Sequence, residues 1–219
     1  MVSSETLLDA VRRHEHWQTG LGGLVLPTGS FCEVSGPAAS AKTELLYTLA
    51  LTCRPSRLLL WVDADGRFDP MRLHAIGQAR GLPEDALSRI AVVRARSAPD
   101  LVRILDDVKD DDVFAVIVDG ANSWINIDSG PRFRAARDAL SQYCKRGGIV
   151  VATSSDSGAH VPPASRRLTL SPSISIALAY VEGTRPPCFK ATVSGPGVPR
   201  TSLQVDIGSS GCTATPIIK

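Results

Sequence analysis

Two runs along the chain are apolar at nearly every position and end on an acid: Leu58-Leu59-Leu60-Trp61-Val62-Asp63 and Phe114-Ala115-Val116-Ile117-Val118-Asp119. Runs of that length without polar alternation read as strands buried on both faces. Phe31-Cys32-Glu33-Val34-Ser35, Arg89 to Val93 and Ile149 to Thr153 read as three more strands. Between them the apolar period lengthens to that of a helix. Pro70 opens one through Met71, Leu73, Ile76 and Ala79, and Gly81 ends it. Pro99 opens another through Leu101, Ile104, Leu105 and Val108, and Arg132 to Arg146 forms a basic third. Near the N-terminus, Ser3-Ser4-Glu5 before Thr6 to Arg13 predicts a short capped helix, and Gly20 to Gly23 a flexible connection. Past residue 172 the period drops to two. Ile174 to Val181, Phe189 to Val193 and Leu203 to Ile207 are separated by Gly/Pro turns, which predicts an antiparallel extension. Strands alternating with helices, followed by a β meander, define an α/β fold with a mostly parallel central sheet flanked by helices. The expected division is an N-terminal helical or linker segment at residues 1–20 and a core domain at 21–219.

Composition narrows this only a little. At 219 residues, 43% hydrophobic and 21% charged, the chain suits one domain with a sizeable core. The net charge of +2 points neither toward nor away from nucleic acid. The five scattered cysteines form no C-x-x-C pair, so neither a disulfide framework nor a zinc site is expected. No secretory leader and no membrane-length apolar run is read, so a reducing compartment is expected.

Chemistry gathers where the first strand meets its helix. Gly36-Pro37-Ala38-Ala39-Ser40-Ala41-Lys42-Thr43 lies between an apolar run and the helix-forming Glu44 to Leu51. A G-x-x-x-x-G-K-[ST] loop in that context cradles phosphate on backbone N–H groups at a helix N-terminus. The first Gly, the Lys and the Thr are in place, and Ala41 stands at the second Gly, where a Cβ obstructs close backbone approach. The loop therefore predicts a site for ATP with Mg²⁺. Lys42 is expected to reach the terminal phosphates, and Thr43 to hold the ion. The strand ending at Asp119 supplies the second, metal-side acid such a site needs. Asp63 and Asp65 are candidates for orienting an attacking water, Asp65 with one methylene less reach than a Glu.

Basic residues form a second set of candidates. Arg132, Arg134 and Arg137 lie on one helix and Arg166 and Arg167 in the long loop from 154 to 172. They could contact nucleic-acid phosphates or form a solvated face. His14 and His16 have no further ligand nearby in sequence and read as surface residues.

The order of these blocks resembles the RecA-like P-loop NTPase core of the RecA-type recombinases, in particular the eukaryotic paralogues of the strand-exchange recombinase. The supporting residues begin with Gly22-Gly23-Leu24 through Thr28-Gly29-Ser30-Phe31-Cys32-Glu33. Gly36-Pro37 with Ala41 to Tyr47, and Val62-Asp63-Ala64-Asp65 with Phe68-Asp69 and Met71-Arg72-Leu73, follow. Val118-Asp119 with Trp124-Ile125, and Ala164 to Leu168, complete the set. Within the family the chain looks closest to the X-ray repair cross-complementing protein two branch. The resemblance implies a nuclear subunit in homologous-recombination repair. It would work in a hetero-oligomer with other recombinase paralogues and the recombinase, assisting filament assembly on single-stranded or branched DNA. It also implies departures: Ala41 where the family has Gly, Asp65 where it has a catalytic Glu, and Thr153-Ser154-Ser155 where a Gln follows the fifth strand. Together these predict weak or absent ATP hydrolysis. Leu7, Leu8 and Ala10 have an apolar-x-x-Ala spacing similar to the hook of recombinase subunits and are the candidate partner contacts. The alternative, a working DNA-stimulated ATPase or a small P-loop kinase, would rely on Asp65, with Arg166 and Arg167 as lid arginines.

Overall fold

The computed structural model describes residues 16–53, 57–108, 112–121, 124, 130–155, 172–183, 188–196 and 198–217. The phosphate-loop region opens with β3 (Phe31–Gly36) and α1 (Lys42–Leu51). It is preceded by a ribbon of β1 (His16–Gln18) and β2 (Val25–Pro27). The chain continues through β4 (Leu58–Asp63), α2 (Pro70–Ala79), a 3-10 turn (Glu84–Arg89), β5 (Ile90–Arg94), α3 (Ala98–Asp107) and β6 (Val113–Asp119). Then come α4 (Pro131–Lys145), β7 (Ile149–Ser155), β8 (Ile174–Tyr180), β9 (Cys188–Gly195), β10 (Val198–Gly208) and β11 (Gly211–Pro216). Nine of the strands form one sheet in the order β11-β10-β9-β8-β3-β7-β6-β4-β5.

The first of the three late alternating runs has a mixed role. β8 pairs parallel with β3 and antiparallel with β9, so it is where a six-stranded parallel block becomes an antiparallel meander. The meander has one strand more than the alternation predicted. β11, Gly-Cys-Thr-Ala-Thr-Pro, turns only the small Cys212 and Ala214 toward the core, and is also held by pairing with β10 and by hydrogen bonds to the helices.

The parallel block explains the doubly buried strands. Trp61, Ile117 and Val151 face one apolar cluster with α1 and α2, and Val62, Val118 and Ala152 face a second with α3 and α4. α1 is buried from Leu45 to Leu51 because it lies at the centre of the first cluster. The surface helices instead bury one stripe, Leu73 and Ile76 on α2, and Phe133, Ala136, Leu140 and Tyr143 on α4. α2 and α3 begin on side-chain caps: Asp69 accepts from the N–H groups of Met71 and Arg72, and Ser97 from that of Asp100. The core reaches back to Trp17, fully buried, which packs edge-on against Phe114 and donates from Nε1 to Thr52 Oγ1. Among the described residues no helix is long and apolar enough to cross a membrane.

Parallel strands set their carboxyl ends along one edge. Asp63 is level with Asp119 and with Arg94, and Gly36 with Ser155. Sequence positions far apart thus meet at one place, where helices also begin.

Candidate phosphate-loop site

The loop between β3 and α1 is shaped by what cannot fit and by two left-handed residues. A Cβ on Gly36 would come within 2.8 Å of the Leu178 carbonyl on β8 and 2.6 Å of Ser40 Oγ, so only glycine allows the strand to leave there. Ala39 and Ala41 have φ of 57° and 63°, a region glycine enters without strain. The loop therefore keeps a glycine-like turn at Ala41 although the glycine is absent. Ala41 is also the N-cap of α1 and offers no side-chain acceptor, so the first N–H groups of the helix stay directed at the loop.

Lys42 Nζ donates to the carbonyls of Gly36 at 2.9 Å and Pro37 at 2.6 Å, and contacts Ser40 Oγ at 3.4 Å. Its ammonium thus rests over the loop it is expected to serve. Tyr180, at the end of β8, donates its hydroxyl to the Ala38 carbonyl at 3.0 Å and holds the loop tip from the neighbouring strand.

Thr43 and Asp119 meet directly. Thr43 Oγ1 donates to Asp119 Oδ2 at 2.8 Å, and Thr153 Oγ1 donates to Asp119 Oδ1 at 2.9 Å. Thr153 also accepts from the Gly120 N–H at 2.9 Å, which fixes the chain just past the acid. Burial pushes the Asp119 carboxyl up, the two threonine hydroxyls pull it back, and the charge of Asp65 adds to the rise. A hydroxyl and a buried carboxylate oxygen facing each other suit a hard cation such as Mg²⁺, which takes few protein ligands and completes its shell with phosphate and water. Among the described residues no three His, Cys, Asp or Glu side chains gather as a metal cage.

The other sequence candidates divide. Asp63 is a structural residue: Oδ1 accepts from the N–H groups of Gly66 and Arg67, and Oδ2 from Arg94 at 3.1 Å. Asp65 lies beside Asp119, packed on Gly120, and pairs with Arg67. Arg132 and Arg134 are exposed on the first turn of α4, on the sheet face opposite α1. Arg166, Arg167, Leu7, Leu8 and Ala10 lie outside the described residues, and so does Ile125, whereas Trp124 is a buried core residue that donates to the Ala95 carbonyl.

Sequence reasoning missed four residues that shape the site: Thr153, Tyr180, Arg67 and Arg72. Arg72 pairs with Glu44, directly after Thr43, and donates to the Gly208 carbonyl, while Arg80 donates to the carbonyls of Ser210 and Cys212. The N–H of Cys212 donates to Thr48. The β10–β11 hairpin is thereby fastened to α1 and α2. The sequence marked Thr153 only as part of the stretch at the family's Gln position and as a hydroxyl ending an apolar run, not as a partner of Asp119.

A phosphate loop at the carboxyl edge of a parallel sheet, with a threonine and a strand-end aspartate converging behind it, defines a P-loop α/β core. The Rad51 family model matches residues 14–142, more than half of the chain, and the chain belongs to the Rad51 family. The DNA repair protein RAD51 of Saccharomyces cerevisiae is 42% identical over 96 residues, which cover 40% of this chain and 24% of that protein. The DNA repair and recombination protein RadB of Thermococcus kodakarensis is 36% identical over 101 residues, 45% of this chain and 44% of that one. The chain thus aligns with a quarter to under half the length of these relatives. A crystal structure of the RadB recombinase superposes with a TM-score of 0.69 at 20% identity, covering 85% of this chain and 90% of that one, a likeness of fold.

Proposed function

We propose that this chain is a recombinase-paralogue subunit in homologous-recombination DNA repair, of the X-ray repair cross-complementing protein two branch. In this reading it acts in the nucleus, in a hetero-oligomer with other paralogues and the recombinase, and assists filament assembly on single-stranded DNA. It binds ATP with Mg²⁺ through residues 36–43 and Asp119, and turns it over weakly or not at all.

The observation that carries the reading is the Thr43–Asp119 hydrogen bond, made across 76 residues of sequence inside a Rad51-family core. Gly36, Lys42, Thr43 and Asp119, the residues this reading assigns to phosphate and metal, lie together. The turnover half is altered: Asp65 is engaged by Arg67, and Thr153-Ser154-Ser155 end β7 where the resemblance implies a Gln. A lost water-positioning group costs about 100-fold in rate, so binding can outlast turnover. The hetero-oligomer is supported by β5. It ends the sheet with Val92 46% exposed, an edge suited to a strand added from a neighbouring paralogue.

The test is equilibrium binding of ATP and Mg²⁺ to wild type and Lys42→Ala, followed by hydrolysis with and without single-stranded DNA. Micromolar binding lost in the variant, with turnover near background, supports the reading. Robust DNA-stimulated hydrolysis would instead establish the working ATPase, and phosphoryl transfer to a small acceptor the kinase.

A further inference from the structure

The turn after β4 carries a contact that nucleotide binding does not use. From Asp63 the chain folds back through Ala64, Asp65, Gly66 and Arg67, fixed by the two backbone N–H groups that Asp63 accepts. Arg94 closes over the turn so tightly that a Cβ on Gly66 would lie 2.5 Å from its guanidinium. The turn brings Asp65 onto the backbone of Gly120, where an added Cβ would sit 2.4 Å from the Asp65 carboxyl carbon. Asp65 therefore stands beside Asp119, and through it beside Thr43, the residues that the nucleotide reading assigns to the metal.

A carboxylate can polarise water only through an oxygen that the water can reach. Asp65 offers none. Oδ1 is buried and accepts no hydrogen bond among the described groups. Oδ2 is taken by Arg67, whose Nε donates to it at 2.6 Å and whose Nη2 donates to it as well. The Arg67 side chain is itself 79% exposed, so the guanidinium is held by this pairing and can leave without disturbing the core.

We propose that Arg67 is a positioning residue that latches Asp65, keeping the water-polarising carboxylate out of use while nucleotide is bound. The proposal rests on the nucleotide reading above. With the latch open, Asp65 Oδ2 takes a proton from water. The water oxygen bonds to the terminal phosphorus as the bond from that phosphorus to its bridging oxygen breaks, leaving a nucleoside diphosphate and inorganic phosphate. Arg67 thus sets turnover without setting affinity, because its target is the carboxylate and not the phosphate loop.

The experiment measures affinity for N-methylanthraniloyl-ATP with Mg²⁺ and single-turnover hydrolysis at saturating ATP, on the whole chain. Arg67→Ala is expected to raise the rate about tenfold or more, up to the roughly 10²–10⁴-fold a positioned general base supplies, with affinity changed less than about threefold. Arg67→Lys, which keeps the charge but loses the fork, falls between. Arg67→Ala combined with Asp65→Asn returns to the wild-type rate. Nucleotide bound with an unchanged rate in Arg67→Ala, or a gain that survives Asp65→Asn, overturns the latch and leaves the nucleotide reading standing. Absence of binding in both wild type and Arg67→Ala overturns the two together.

Discussion

Two alanines in the phosphate loop sit where glycine is at ease, and replacing them separates backbone strain from packing. Ala39 and Ala41 have nearly the same left-handed conformation, at φ 57° and 63°. Holding an L-residue there costs about 1–2 kcal/mol, and glycine removes that cost. Glycine also adds freedom to the unfolded chain, worth about 0.4–1 kcal/mol in the other direction. Ala39 is exposed and loses nothing else, so Ala39→Gly should stabilise by about 0.5–1 kcal/mol. Ala41 is half-buried and packs on the core cluster, so its glycine variant also gives up part of a methyl worth about 0.8 kcal/mol. Ala41→Gly should therefore gain about 0–0.5 kcal/mol. In a chain of this length 1 kcal/mol moves Tm by about 2–4 °C, within reach of differential scanning calorimetry in the absence of nucleotide. Ala41→Gly, but not Ala39→Gly, should also tighten ATP, since it restores the family's loop glycine. Loss of stability in both variants, or a larger gain at 41 than at 39, would refute the strain argument.

Other consequences follow from the same contacts. Thr153→Val keeps the shape but strips a partner from both Asp119 and the Gly120 N–H, and should cost about 2–4 kcal/mol in urea unfolding. Gly211→Ala should cost about 2 kcal/mol or more by the same measurement, because the residue has φ +79° and its Cβ would lie 2.6 Å from Thr48 Oγ1. Asp119→Asn should raise stability at pH 7 while abolishing Mg²⁺-dependent nucleotide binding. Burial raises the folded pKa of Asp119, so its ionised form opposes folding at neutral pH. The advantage of the Asn variant should shrink as pH falls through that raised value and vanish below about 3.9, the unfolded value. A pH series of thermal melts in which the advantage grows toward acid would contradict this.

What could be read in advance depended on how local the cause was. β4 and β6 were plain because burial on both faces leaves continuous apolar runs, and Asp119 was plain because a strand-end acid is the expected companion of a phosphate loop. β1 and β2, three residues each, carry too little pattern, and β11 carries almost none, since Arg80 and Thr48 hold it from 132 and 164 residues away. Lys42 and Thr43 were legible as a motif, but the present partner of Lys42 is set by the loop's carbonyls, which composition does not reveal. Asp63 and Asp65 were both candidates for orienting a water, with only the resemblance favouring Asp65. The turn gives them opposite surroundings, one engaged by backbone N–H groups and Arg94, the other laid against Gly120.

The fastening of the last hairpin has a consequence for how the protein is made. The phosphate helix α1 emerges early in synthesis, yet Thr48 waits for the N–H of Cys212, and Arg72, beside Glu44, waits for the carbonyl of Gly208. Contacts that distant in sequence slow folding and leave surfaces exposed while the chain is incomplete. A stop codon after residue 207 would leave every motif residue intact, yet remove the groups that fasten α1 and α2. Loss of function from such a lesion would be read at the loop although nothing in the loop had changed.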